Sequence, residues 1–275
     1  MKKIRRSPVA TGLLFLLAVV LLFAGTVGGT QAALQVYSSD YLSAFDLDHI
    51  GVTLFENGTR VSWRNYGEDA ASGFTDEHQN GDLVLNSLGD DQQFQIGKNY
   101  DFEITAMNTG TIDQYVRIIV YKYWVDAETP GAKGWFHGDQ STKIKNTDYD
   151  TSLIYPNYLG NEYNTTNWIR DDASHTQERD IYYYRGMLTP QNGNTTEPLF
   201  TDLAVKAAVS KAVVKTGPDE NNRITYTLAY DGLGFVIKAE VEAIQTHNAE
   251  KAIRSAWGLT DKNIMTQMGI PVSKV

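Results

Sequence analysis

Residues 107–124 read MNTGTIDQYVRIIVYKYW, and from Tyr115 onward nearly every position is apolar or aromatic. Successive side chains of a strand point to opposite faces, so Val116, Ile118 and Val120 go one way and Tyr115, Ile119 and Tyr121 the other. Apolar surface in both directions requires a central strand, with one face on a core and the second beneath a covering element. The loop-rich, polar segment from Val125 to Arg179 is the expected cover, an insertion with short helical turns of its own.

The rest of the chain reads as short strands punctuated by turns. Ile50, Val52 and Leu54 alternate with Gly51 and Thr53, and Glu56-Asn57-Gly58-Thr59 then reverses the chain toward Val61 and Trp63. Gly97-Lys98-Asn99 turns into YDFEITAM, which is expected to pair with the stretch above across Asn108-Thr109-Gly110-Thr111. A last hairpin is expected from Ile224–Tyr230 through Asp231-Gly232-Leu233-Gly234 into FVIKAEVEAI. There Phe235, Ile237, Ala239, Val241 and Ala243 share one face, and Lys238, Glu240 and Glu242 the other. Asn248 is placed to cap a helix over Ala249–Trp257, with Gly258 as its stop, while the tail from Leu259 shows no strong pattern. Many strands, Gly-rich turns and few helices predict a mainly β fold, an antiparallel β-sandwich with short helices.

Residues 1–32 have the three parts of an export signal. Lys2, Lys3, Arg5 and Arg6 form a basic start, Leu13 to Ala24 an apolar run, and Thr30 and Ala32 the small residues of a cleavage site after Ala32. The apolar run falls short of the roughly 20 residues that span a bilayer. Removing this segment leaves 243 residues. It carries four basic side chains and no acidic one, so the formal charge moves from −9 to −13. An acidic exported chain suits neither nucleic acid nor an anionic membrane surface, and membrane contact is expected only through the signal. The chain has no cysteine, so packing has to hold the fold.

Catalytic patterns are few. The five histidines, His49, His78, His137, His175 and His247, are scattered without the H-E-x-x-H spacing that holds zinc, and no G-x-S-x-G elbow or phosphate-cradling loop occurs. Asn146, Asp148 and Asp150 have the alternate spacing of calcium ligands, but Thr151 stands where the loop wants glycine and Asn157 where it wants glutamate. Trp124, Trp135, Phe136 and Trp168 read either as a carbohydrate-stacking platform or as buried anchors of the long loop. No cofactor is expected.

The order of these segments resembles the TasA and camelysin family of exported bacterial proteins. GTQAALQVYSSD follows the signal, IGVTLFENG stands at the first sandwich strand, and GKNYDFEITAMNTGTIDQYVRI is similar to the family's strand, turn and strand. YYYRGMLTPQNGNTTEPLF looks like its tyrosine-rich strand and return. The resemblance implies a jelly-roll-like sandwich and a secreted structural protein of the bacterial cell surface or biofilm matrix. Such a protein is a head-to-tail polymer of itself, with matrix polysaccharide or an accessory matrix protein as further partners. It also implies donation of an N-terminal strand, with Ala33 as the new terminus and Leu34, Val36, Tyr37, Tyr41 and Leu42 as the donor side chains. A flexible leader, or pairing of residues 33–43 with their own sheet, is the alternative. The organisation expected is a signal at 1–32, the donor segment at 33–43, a sandwich at 44–258 containing the 125–179 insertion, and a tail at 259–275. Two other functions stay open: a carbohydrate-binding surface module, and the metallopeptidase activity that camelysin-type relatives carry, for which no zinc-ligand spacing is seen.

Overall fold

A computed structural model describes residues 16–17, 49–66, 76–79, 81–82, 94–127, 141–143, 149–157, 160, 162–190 and 194–273. The expected signal and donor segment therefore lie outside the described residues, apart from Leu16 and Leu17, which are helical. The chain divides into two compact units, residues 1–47 and 48–275. The second is a mainly β, antiparallel sandwich with two short α-helices among its described residues.

One sheet runs β3 (Asp76–Gln79), β2 (Thr59–Tyr66), β1 (Ile50–Glu56), β6 (Ile104–Asn108). The other runs β10 (Trp168–Arg170), β11 (Arg179–Tyr184), β7 (Gln114–Ala127), β15 (Leu233–Gln245), β4 (Gly81–Asp82), with β8 (Ser141–Lys143) also on β7. A smaller sheet holds β5 (Asn99–Asp101), β12 (Asp202–Val205) and β9 (Ile154–Pro156), and among the described residues β13 (Val213–Thr216) pairs only with β14 (Thr225–Leu228). Two helices follow, α1 (Ala249–Trp257) and α2 (Lys262–Gln267).

β7 is the doubly covered central strand that its side chains require. Val116, Ile118 and Val120 enter a core shared with Val52 and Leu54 of β1, Ile104 and Ala106 of β6, and the Phe235–Ala243 face of β15. Tyr115 and Ile119 enter a second core with Ile181 and Tyr183 of β11. The cover over that second core differs from the expectation. It is the C-terminal segment, with Ile253 of α1 and Met265 and Met268 beyond it all fully buried, while the expected insertion at 125–179 contributes Ile169 alone among the described residues. Each such side chain contributes about 1.5–3 kcal/mol on burial, which is why two short helices can seal a sheet face. The expected insertion is built into the sheets instead: β9 pairs with β12, and β10 with β11.

Strand partners also differ from the local reading in two places. β6 pairs with β1 and not with β7, so the Asn108–Asp113 connection crosses between sheets. Thr109 N and Gly110 N both donate to Gly51 O at 2.9 and 3.1 Å, and the Gln114 side chain donates to the same oxygen at 2.7 Å. β15 pairs with β7 along its whole length, Leu233 opposite Asp126 through Gln245 opposite Gln114, leaving β14 to β13. A long ladder with apolar side chains on both faces outcompetes a four-residue pairing of exposed ones.

Other local features follow the expectation. Asn57 and Gly58, at φ 48° and 78°, make the tight turn between β1 and β2. Gly258 ends α1 in the left-handed conformation, whereas Asn248 starts it with a left-handed backbone and no side-chain capping bond. Glu242 ties the layers together: it accepts from Arg64 of β2 at 2.7 Å and from Arg117 of β7 at 2.6 Å, and Arg117 lies over the Trp257 ring of α1.

Candidate functional site: an exposed hairpin and a charged cleft

The expected donor residues Ala33, Leu34, Val36, Tyr37, Tyr41 and Leu42 lie outside the described residues, as do Asn146 and Asp148. Asp150 is described, and its carboxylate accepts from Ser152 N at 2.8 Å, capping the single turn Thr151–Leu153. Among the described residues no group of three or more His, Asp or Glu side chains could hold a metal ion. Trp124 and Trp168 are buried, with their indole N–H groups donating at 3.0 Å to Asp150 O and Glu197 O. They are anchors, and neither takes part in an exposed stacking platform; Trp135 and Phe136 lie outside the described residues.

An added strand needs an open edge. The outer edge of β6 is already taken by its own chain: Ile104 N donates to Phe200 O at 3.1 Å, Leu199 N to Ile104 O at 2.8 Å and Thr196 N to Ala106 O at 2.8 Å. The β13–β14 hairpin is different. All eight of its strand residues are exposed, and neither outer edge pairs with a strand among the described residues. Its register puts Val213 opposite Leu228 and Lys215 opposite Tyr226 on one face, with Val214, Thr216, Thr225 and Thr227 on the other. Val213 is 58% exposed and Tyr226 62%. The loop at the tip is firmly built, because Asp219 accepts from Asn221 N at 2.9 Å and Arg223 N at 2.8 Å, and Gly217 has no room for a Cβ against Arg223 O.

A cleft of about 220 Å³ opens beside β7 where β9, β10 and β11 converge. Lys122, in register with the buried Val120, points its ammonium into it; no hydrogen bond or ion pair reaches that group among the described residues. Burial pushes its pKa below the ordinary lysine value, opposed by the charges of Asp180 and Glu162. Arg170 is committed to two carboxylates, Glu162 at 2.6 Å and Asp172 at 2.7 Å. Burial works against its charge, yet these hydrogen bonds win and raise its pKa. His175 Nδ1 lies 2.5 Å from Oδ1 of the buried Asp180. Tyr182 is 3% exposed, its hydroxyl makes no hydrogen bond to a described residue, and burial raises its pKa well above the ordinary value.

Sequence reasoning passed over this cleft, since its side chains come from five separated segments. One signal was present: Lys122 is the only lysine in the apolar stretch from Tyr115 to Val125. No family model, curated protein or solved structure matches this chain.

Proposed function

We propose that the chain is a secreted structural protein that assembles head-to-tail into extracellular, biofilm-matrix fibres, one subunit donating its N-terminal strand, residues 33–43, to the next. The observation that carries this reading is the β13–β14 hairpin. Two strands alone are marginal in water, and a third strand adds both backbone pairing and apolar cover. The donor segment has the chemistry to supply it. Leu34 and Val36 share a face at the two-residue period, and the segment contains Asp40 and no basic residue. Residues 206–224, by contrast, hold four basic and two acidic side chains within an acidic chain. The order of segments that resembles the TasA and camelysin family supports the same reading, including its jelly-roll-like sandwich and its bacterial origin.

A donor strand and its acceptor lie on different parts of the subunit, so the contact is heterologous and propagates into a filament unless it closes into a ring. Filaments of the chain starting at Ala33 should be visible by electron microscopy. They should disappear in Val213→Asp with Leu228→Asp, while the melting temperature of the sandwich stays within a few degrees, because both positions are exposed. Filaments that persist in this double variant exclude the hairpin as acceptor.

A further inference from the structure

We infer that the cleft between β7, β9, β10 and β11 binds a small polyhydroxylated carboxylate, the size and chemistry of a sugar acid. The inference is independent of the fibre assembly, since none of the cleft residues belongs to the hairpin or the donor segment.

Two donors point into the cleft without an acceptor. The Lys122 ammonium is half-buried and reaches no carboxylate, and the Tyr182 hydroxyl is almost wholly buried with no hydrogen bond to a described residue. Neither atom is sealed from solvent, and no acceptor among the described residues engages either, so both donors are open to an acceptor that enters the cleft. Cation and hydroxyl together favour an anionic oxygen, because hydrogen bonds to a carboxylate are shorter and roughly twice as strong as neutral ones.

The cleft is also chemically complementary to hydroxyl groups. Glu162 and Asp180 offer carboxylate oxygens, and the His175 ring beside Asp180 offers a second polar edge. Arg170, shared between Glu162 and Asp172, offsets part of the negative charge that a ligand anion meets. The ring of Tyr182 packs edge-on against Phe200 at 5.6 Å, which fixes the orientation of its hydroxyl. A cleft of about 220 Å³ holds one ring-sized molecule, or the end residue of an acidic polysaccharide.

The test uses the whole chain from Ala33, with D-glucuronate, D-glucose and acetate as probes in saturation-transfer NMR and equilibrium dialysis. Saturable binding of glucuronate is expected, with glucose and acetate each weaker by about tenfold or more, since each lacks one half of the recognition. Lys122→Met should reduce glucuronate affinity about tenfold or more, and Tyr182→Phe several-fold with the ring packing kept. A chain-end source is distinguished from the free sugar by a glucuronate-terminated oligosaccharide, which should compete with the monomer. The inference is overturned if glucuronate shows no saturable binding, if glucose binds as well, or if Tyr182→Phe and folded Lys122→Met bind like the parent chain. Should Lys122→Met fail to fold, the Tyr182→Phe result decides.

Discussion

Gly110 sits where the chain leaves one sheet for the other, and a Cβ there would lie 2.5 Å from both Gly51 N and His49 O. Gly110→Ala should therefore cost about 1–3 kcal/mol as the crossing shifts to relieve the overlap, read as a lowered denaturation midpoint. The two faces of β7 give a sharper test at single residues. Ile118 is fully buried in the first core and Ile119 nearly so in the second. Ile118→Asp and Ile119→Asp should each destabilise the domain by on the order of 4–5 kcal/mol, since each buries a carboxylate without a partner. Soluble expression and near-normal melting of Ile119→Asp would mean that the helical cover is not seated.

Among elements, the C-terminal segment is the one that β7 depends on for its second face. Glu250 of α1 accepts from both the backbone N–H and the hydroxyl of Ser273 at 2.8 Å, clasping the end of the described chain to the helix. These hydrogen bonds, with Arg254 adding to them, hold the Glu250 carboxyl below its ordinary value of 4.5. A carboxyl whose pKa is lowered by folding contributes its stability above the ordinary value and loses it as pH falls through the lower, folded one. The protection of the Ser273 amide against exchange, relative to its intrinsic rate, should therefore fall as the pH drops below 4.5, and Glu250→Gln should remove that acid dependence. Deleting residues 259–275 should uncover Tyr115, Ile119 and Tyr183 and produce dye-binding apolar surface. Unchanged dye binding and melting in the truncated chain would contradict the cover.

Which elements were legible in advance follows from how local their causes are. The Asn57-Gly58 turn, the two-faced β7, the buried face of β15 and the bounds of α1 are each determined by neighbouring residues, and each was readable. Partner choice was not. β6 and β14 both sit one turn away from a strand they could have joined; β6 pairs with the distant β1 instead, and β14 is left to β13 because β15 takes the full length of β7, which offers more bonds and better burial. The C-terminal cover was missed because Ile264, Met265 and Met268 are too few residues to show a helical period, although all three are buried. The cleft was illegible for the same reason at larger range, with Lys122, Arg170 and Asp180 meeting only once three strands are in place.

For the whole molecule, an antiparallel sandwich closed on both faces of its central strand leaves the hairpin as its main exposed apolar feature. Five of the nine large hydrophobic side chains exposed among the described residues lie in or next to it. In the proposed assembly, burying Leu34 and Val36 of a neighbouring chain against it would contribute roughly 1.5–3 kcal/mol each, and each ladder hydrogen bond about 1 kcal/mol, less the cost of ordering and association. A peptide of residues 33–43 should accordingly bind the chain that lacks them and raise its melting temperature. The most direct measurement is electron microscopy of the chain beginning at Ala33 beside the same chain with residues 33–43 removed. Filaments in the first and folded monomers in the second are the predicted result; filaments in both, or monomers in both across concentration and pH, would contradict assembly by strand donation.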